Sequence, residues 1–192
     1  IGIGKGTVSL DDFDKTELVI SIGHNPGTNH PRMMGTLHEL ARRNVPIIVF
    51  NPLRERALER FADPQSVIEM ATYSSTDIAS TYFQVKAGGD AAALKGIAKH
   101  LLEMENERGN VLDRAFIAEH TQGVEAFAAD IAQTDWEAIE RESGLSRAAL
   151  KSVAEAYAKS NATIITYGMG ITQHNKGTAN VRLIADLLLL RG

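Results

Sequence analysis

Cysteine is absent from all 192 residues. That removes disulfides, thiolate zinc sites, iron–sulfur ligation and a thiol nucleophile from the chemistry of this chain, and it fits a reducing, cytoplasmic setting. Excess positive charge is missing too: 20 Lys and Arg stand against 24 Asp and Glu, a net charge of −4. A nucleic-acid surface would need clustered Lys and Arg in excess. No apolar run nears the ~20 residues that cross a bilayer. The histidines (His24, His30, His38, His100, His120 and His174) show no metal-ligand spacing, and no nucleophile–base pair can be read, so no catalytic residue and no metal ligand is assigned. What is present is the 44% apolar content that a buried core requires. The chain opens without methionine and closes on Arg191-Gly192 directly after Leu187 to Leu190, from which we expect a piece of a longer polypeptide.

Short apolar runs alternate with helical periods. Leu18 to Ile22 reads as a buried strand. A helix from Pro31 to about Asn44 follows, with Met33, Leu37, Leu40 and Ala41 at helical spacing, then a strand over Val45 to Phe50. Strand, helix, strand in so few residues is a βαβ unit with a right-handed crossover. Arg54 to Phe61 reads as a short helix, and 63–81 shows no clear period. A third strand is expected at Tyr82 to Lys86, and a helix from Asp90 to about Asn106. Helices follow over Asp113–Glu119, Val124–Ala132, Trp136–Glu142 and Arg147–Ser160, the last capped by Ser146. Trp136 reads as core, and the charged run Glu103 to Arg108 as a solvated helix end. A final strand covers Ala162 to Tyr167, and a helix runs from about Thr178 to Leu190. The expectation is one Rossmann-like, doubly wound α/β domain over residues 1–192, with a mostly parallel sheet flanked by helices and a helical segment, 113–160, before the last strand.

The chemistry sits in the turns after the strands: Gly23-His24-Asn25-Pro26-Gly27, Asn51-Pro52-Leu53-Arg54, Gly88-Gly89-Asp90 and Gly168 to His174. Strand ends followed by small or polar residues line the edge where α/β sheets take nucleotides. Free N–H groups and helix dipoles there suit phosphate, and glycine lets a ligand reach the backbone. Asn25 can donate and accept. Asn51 holds the position from which such folds contact a ribose hydroxyl. Asp90 could accept the two N–H groups of a guanine edge, or simply cap its helix. Asn25-Pro26-Gly27 is also a good plain turn. Gly2-Ile3-Gly4-Lys5-Gly6 is a weaker dinucleotide-type loop, with no strand before it.

At these turns the chain resembles the molybdopterin-dependent oxidoreductases, in particular their formate-dehydrogenase-like catalytic (alpha) subunits. The matching stretches are Asp14 to Val19, Gly23-His24-Asn25-Pro26, His30-Pro31, Asn51-Pro52, Gly88-Gly89-Asp90 and Tyr167 to His174, in order along essentially the whole chain. The longer 51–90 segment, with Phe61-Ala62-Asp63-Pro64-Gln65, is similar to a related "oxidoreductase alpha subunit" branch. The resemblance implies a domain holding part of a molybdenum or tungsten bis-molybdopterin guanine dinucleotide. It implies cofactor-binding positions at Gly23, Asn25, Thr28, Asn51, Arg54, Gly88, Asp90, Gly168, Met169, Gly170, Thr172 and Gln173. Asn51 stands where the family usually has Asp, and Leu53 where Arg is common, with Arg54 beside it. The metal ligand and any iron–sulfur cysteines would lie outside this chain, in the rest of its own polypeptide. The chain alone would then be inactive. The parent would carry out two-electron chemistry on a small substrate such as formate, with an electron-transfer partner. A competing reading is a diphosphate-binding module without redox chemistry, like the central domain of thiamine-diphosphate enzymes.

Overall fold

The computed structural model describes residues 6–192; the glycine-rich start, Gly2 to Lys5, lies outside them. The chain divides into two compact units, residues 6–84 with Ala162–Gly170, and Val85–Asn161 with Ile171–Gly192.

The first unit opens with α1 (Leu10–Lys15), a helix the apolar pattern does not reveal because Phe13 is its only buried residue. The Ser9 N–H donates to the Asp12 carboxylate at 2.7 Å, one half of a capping box. β1 (Leu18–Ile22) is buried at every position, as a parallel strand covered on both faces must be. A short α2 (Pro26–Asn29) and α3 (Pro31–Arg42) lead to β2 (Ile47–Phe50). Met34, Leu37 and Leu40 of α3 join Phe13, Val19, Ile47, Val49 and Ile164 in one apolar core. Met34, rather than Met33, is the fully buried methionine.

The segment without an apolar period holds structure. α4 (Arg56–Glu59) stops where β3 (Arg60–Phe61) begins, and β3 pairs antiparallel with β4 (Thr76–Asp77). α5 (Val67–Thr72) lies between them with none of its residues buried. Two-residue strands and an unburied helix carry no apolar period. Instead the Ser66 hydroxyl caps α5 by accepting the Glu69 N–H at 3.3 Å. Nε2 of the buried His38 then ties the segment down, 2.8 Å from Glu69 and 3.0 Å from Thr76.

β5 (Thr81–Phe83) precedes the second unit's helices, α6 (Asp90–Arg108), α7 (Arg114–His120), α8 (Val124–Gln133), α9 (Trp136–Ser143) and α10 (Arg147–Lys159). β6 (Thr163–Tyr167) returns to the first unit, and α11 (Met169–Thr172) and α12 (Gly177–Leu189) follow. In the sheet the order is β5-β2-β1-β6, every pair parallel. The chain builds outward from β1 to β5 and then crosses to the other side of β1. That is the strand order of one half of a Rossmann fold, with its switch point between β1 and β6.

In the helical unit α6 packs against α8, α9, α10 and α12. Its charged end is only partly solvated. Glu105 is buried, and its carboxylate accepts the Val111 and Leu112 N–H groups at 2.8 and 3.0 Å and Arg114 Nε at 2.7 Å. A buried carboxylate is stable only with such a set. Trp136 is half-buried rather than core. Its ring lies 4.4 Å from that of His100 and 4.5 Å from the Arg147 guanidinium, a cation–π arrangement. Ser146 caps α10 as its type predicts, by accepting the Ala149 N–H at 3.2 Å.

Candidate functional site

In the sheet unit, register decides which turns meet. Ile22 is paired with Phe50 on one side and with Tyr167 on the other. One residue further along, Gly23, Asn51 and Gly168 therefore leave the sheet side by side. The Gly23 N–H donates to the Phe50 carbonyl at 2.9 Å, that of Asn51 to Phe83 at 3.1 Å, and that of Gly168 to Ile22 at 3.4 Å. Gly23 turns away with φ 55, a conformation glycine adopts without strain. The turn after β6 then folds back on it, the Gly170 N–H donating to the Gly23 carbonyl at 3.2 Å. A Cβ on Gly168 would sit 3.0 Å from that same carbonyl oxygen. The two glycine turns flank the switch point, the crevice in which open α/β sheets take ligands.

Asn25 caps α2: its Oδ1 accepts the Thr28 N–H at 3.3 Å and its Nδ2 donates to Glu55 at 2.7 Å. Both ends of its amide are engaged, so its side chain shapes the turn. Thr28 is exposed within α2, and Asn51 is buried at the end of β2. The Arg54 guanidinium is paired with Glu59 at 2.5 Å and lies 5.1 Å from the Tyr82 ring centroid. Leu53, Tyr167 and Met169, which follow or end these strands, are large apolar side chains left exposed.

Sequence reasoning misses a histidine pair in the first turn. His24 is buried with its Nε2 3.1 Å from Nδ1 of His30, and its own Nδ1 has no partner. Burial, and secondarily the charge of His30, pushes the His24 pKa down to about 4. The unfolded chain takes that proton near pH 6.5, so between pH 6.5 and 4 the unfolded state binds more protons and stability decreases as the pH is lowered. We expect the stability lost between pH 7 and 5 to include about 2 kcal/mol from His24, at ~1.4 kcal/mol per pH unit. Urea midpoints at the two pH values should lie closer together in His24→Asn.

The remaining expected residues, Gly88, Asp90, Thr172 and Gln173, belong to the helical unit. Gly88 turns with φ 80, and Gly89 is wedged against the backbone of Glu142 and Ser143. The alternative reading of Asp90, as the cap of α6, is corrected by the structure. Gly89 holds the cap position instead, and Asp90 is the first helical residue, its side chain only 4% exposed. Burial raises its pKa, with its own backbone N–H and the nearby His174 pulling the other way. Thr172 and Gln173 are exposed. Among the described residues no group of three or more His, Asp or Glu side chains could hold a metal ion, and no helix is long and apolar enough to cross a membrane.

A parallel sheet in this order, with glycine turns on both sides of its switch point, defines a Rossmann-like α/β scaffold. Comparison with known proteins gives the family: the model described as "Molybdopterin oxidoreductase" matches residues 5–192, and the chain belongs to that family. The thiamine-diphosphate alternative gives way to this match. The chain is 50% identical over its full length to "Protein YdeP" of Escherichia coli (strain K12), of which it covers 26%. It is 28% identical over 99% of its length to formate dehydrogenase H of the same organism, covering 24% of that protein. It thus spans about a quarter of the curated relatives it matches. Among solved structures, acetylene hydratase from Pelobacter acetylenicus superposes with a TM-score of 0.68 at 17% identity, over 93% of this chain and 22% of that one, a likeness of fold.

Proposed function

We propose that this chain is the part of a formate-dehydrogenase-like oxidoreductase that holds one limb of a bis-molybdopterin guanine dinucleotide. The observation that carries this reading is the alignment of Gly23, Asn51 and Gly168 one step beyond the Ile22 register. The fit is tested by the glycines. A Cβ at Gly168 or Gly170 would press on the Gly23 carbonyl, so the two turns pack backbone against backbone, and a phosphate or pterin edge reaching this cradle would meet main chain rather than side chains.

The bound group, with molybdenum or tungsten, would supply two-electron redox chemistry, with formate as the substrate proposed for the parent. The chain supplies placement. Gly23, Thr28, Gly168, Met169 and Gly170 line the cradle, and Asn25 fixes the turn that opens it. Asn51 offers an amide to a sugar hydroxyl, and Arg54 a positive charge after β2. In the helical unit, Asp90 accepts guanine N–H donors, beside Gly88, Thr172 and Gln173. The metal ligand, any iron–sulfur cluster and the electron-transfer contact belong to the rest of the polypeptide, which acts in the cytoplasm; the chain alone is inactive.

Asp90→Ala in the full-length enzyme should lower retained guanine nucleotide about tenfold, the value of one charged hydrogen-bonded contact. The measurement is guanine released on acid hydrolysis per mole of purified protein, alongside molybdenum and tungsten content. Guanine equal to wild type would refute the placement of Asp90.

A further inference from the structure

The turn after β2 is held from the next strand. Tyr82, in the middle of β5, is paired with Val49 across the sheet and packs partly against the core. Its hydroxyl reaches past the end of β2, where it donates to the Leu53 carbonyl at 2.7 Å and accepts the Glu55 N–H at 2.9 Å. A phenol has one proton to give and lone pairs to receive with, so both capacities are used. Gln84, directly after β5, donates from Nε2 to the Pro52 carbonyl at 3.2 Å. The Arg54 guanidinium lies over the Tyr82 ring. Two side chains thus fix four successive residues, 52–55, that belong to no strand or helix of their own.

Glu55 carries that hold to the turn after β1. Its carboxylate accepts Asn25 Nδ2 at 2.7 Å. A carboxylate offers only acceptors, so it must face the amide nitrogen, and Oδ1 is left to accept the Thr28 N–H at 3.3 Å. Glu55 therefore decides which way the Asn25 amide points, and with it the course of the chain between Gly23 and Thr28. The next turn of chain closes the same contact. A Cβ on Gly27 would collide with the Ala57 methyl, so α2 and α4 meet at a separation that only glycine permits. Tyr82, Glu55, Asn25 and Thr28 form one run of hydrogen bonds from β5 to the first glycine turn.

We propose that Tyr82 and Glu55 are positioning residues for the bound cofactor: the phenol fixes 52–55, Glu55 orients Asn25, and the Gly23 turn is thereby held in the path that receives the ligand. This rests on the pterin-cofactor reading above, and both residues act through Asn25 and the turn backbone rather than by touching the cofactor. The bonds lost with the phenol oxygen lie at a surface turn, since Leu53 is exposed and Glu55 only partly buried. Water can take both places. The fold then survives, but the turn loses its fixed path, and a ligand must order it on binding.

The test is the rate at which the full-length enzyme, purified with its cofactor, releases pterin on warming, read as growth of pterin fluorescence, beside the thermal midpoint of each protein freed of cofactor. Tyr82→Phe and Glu55→Ala should each speed release about tenfold, the loss of one ordering hydrogen bond, with the cofactor-free midpoint unchanged. Glu55→Gln, whose amide oxygen still accepts Asn25, should release at the wild-type rate. Because the two residues act in series, the double variant should release no faster than the faster single one. Wild-type release from Tyr82→Phe or from Glu55→Ala overturns the proposal, as do additive effects in the double variant. Glu55→Gln releasing like Glu55→Ala overturns it by assigning the effect to charge. Faster release accompanied by a lowered cofactor-free midpoint overturns it by making the role structural. Tyr82→Phe decides alone where Glu55→Ala does not fold. A wild-type enzyme that carries no pterin sinks the underlying reading, whereas pterin held equally well by every variant sinks only this inference.

Discussion

Gly170→Val is expected to unseat the turn after β6 and to empty the cradle. A Cβ at this position would lie 2.8 Å from the Gly23 carbonyl oxygen, 3.1 Å from its Cα and 3.2 Å from its carbonyl carbon. All three are backbone atoms, so no side chain can rotate away to make room. The turn must lift, breaking the Gly170 N–H bond to Gly23. Overpacking and the lost hydrogen bond together amount to ~2–4 kcal/mol. In the full-length enzyme the loss should appear as a lower thermal midpoint and as pterin fluorescence reduced more than about tenfold per protein, following the ~1.4 kcal/mol that each factor of ten requires. Gly35→Ala is the control. It lies inside α3 with nothing within 4 Å of the added methyl, and should stabilise by up to ~1 kcal/mol through helix propensity. A Gly170→Val enzyme with wild-type midpoint and pterin content would contradict the cradle.

Leu37→Ala should produce the largest loss of stability without touching the site. Leu37 is 0% exposed and packs in the core that α3 forms with β1 and β2. Truncation removes its buried methyl groups and leaves a cavity that the surrounding strands cannot close, a cost of ~3–4 kcal/mol. Denaturant titration should show a lower midpoint with unchanged slope. Leu10→Ala, at a residue 65% exposed on α1, should fall within ~0.5 kcal/mol of wild type.

The elements that fill the core are the ones legible in the sequence. Leu18 to Ile22, Pro31 to Arg42 and Asp90 to Arg108 carry apolar periods because burial selects them, and their ends can be placed to within a few residues. The β3–β4 pair and α5 are not legible. They are held by the polar contacts of His38, Glu69 and Thr76, which leave no periodic trace. Glu105 is misread for a related reason, since a buried carboxylate looks like any other charge until its partners at Val111, Leu112 and Arg114 are known. At the site, the glycine turns can be read because strand ends announce them. The His24–His30 contact cannot, because it joins residues six apart across a turn whose path only coordinates define.

The lone indole of this chain, Trp136, belongs to the helical unit. Its emission is therefore blind to events confined to the β-strands. Far-ultraviolet dichroism sees both halves, so coincident optical melting curves would mark a single cooperative transition, and separated curves would reveal that one half can melt while the other survives.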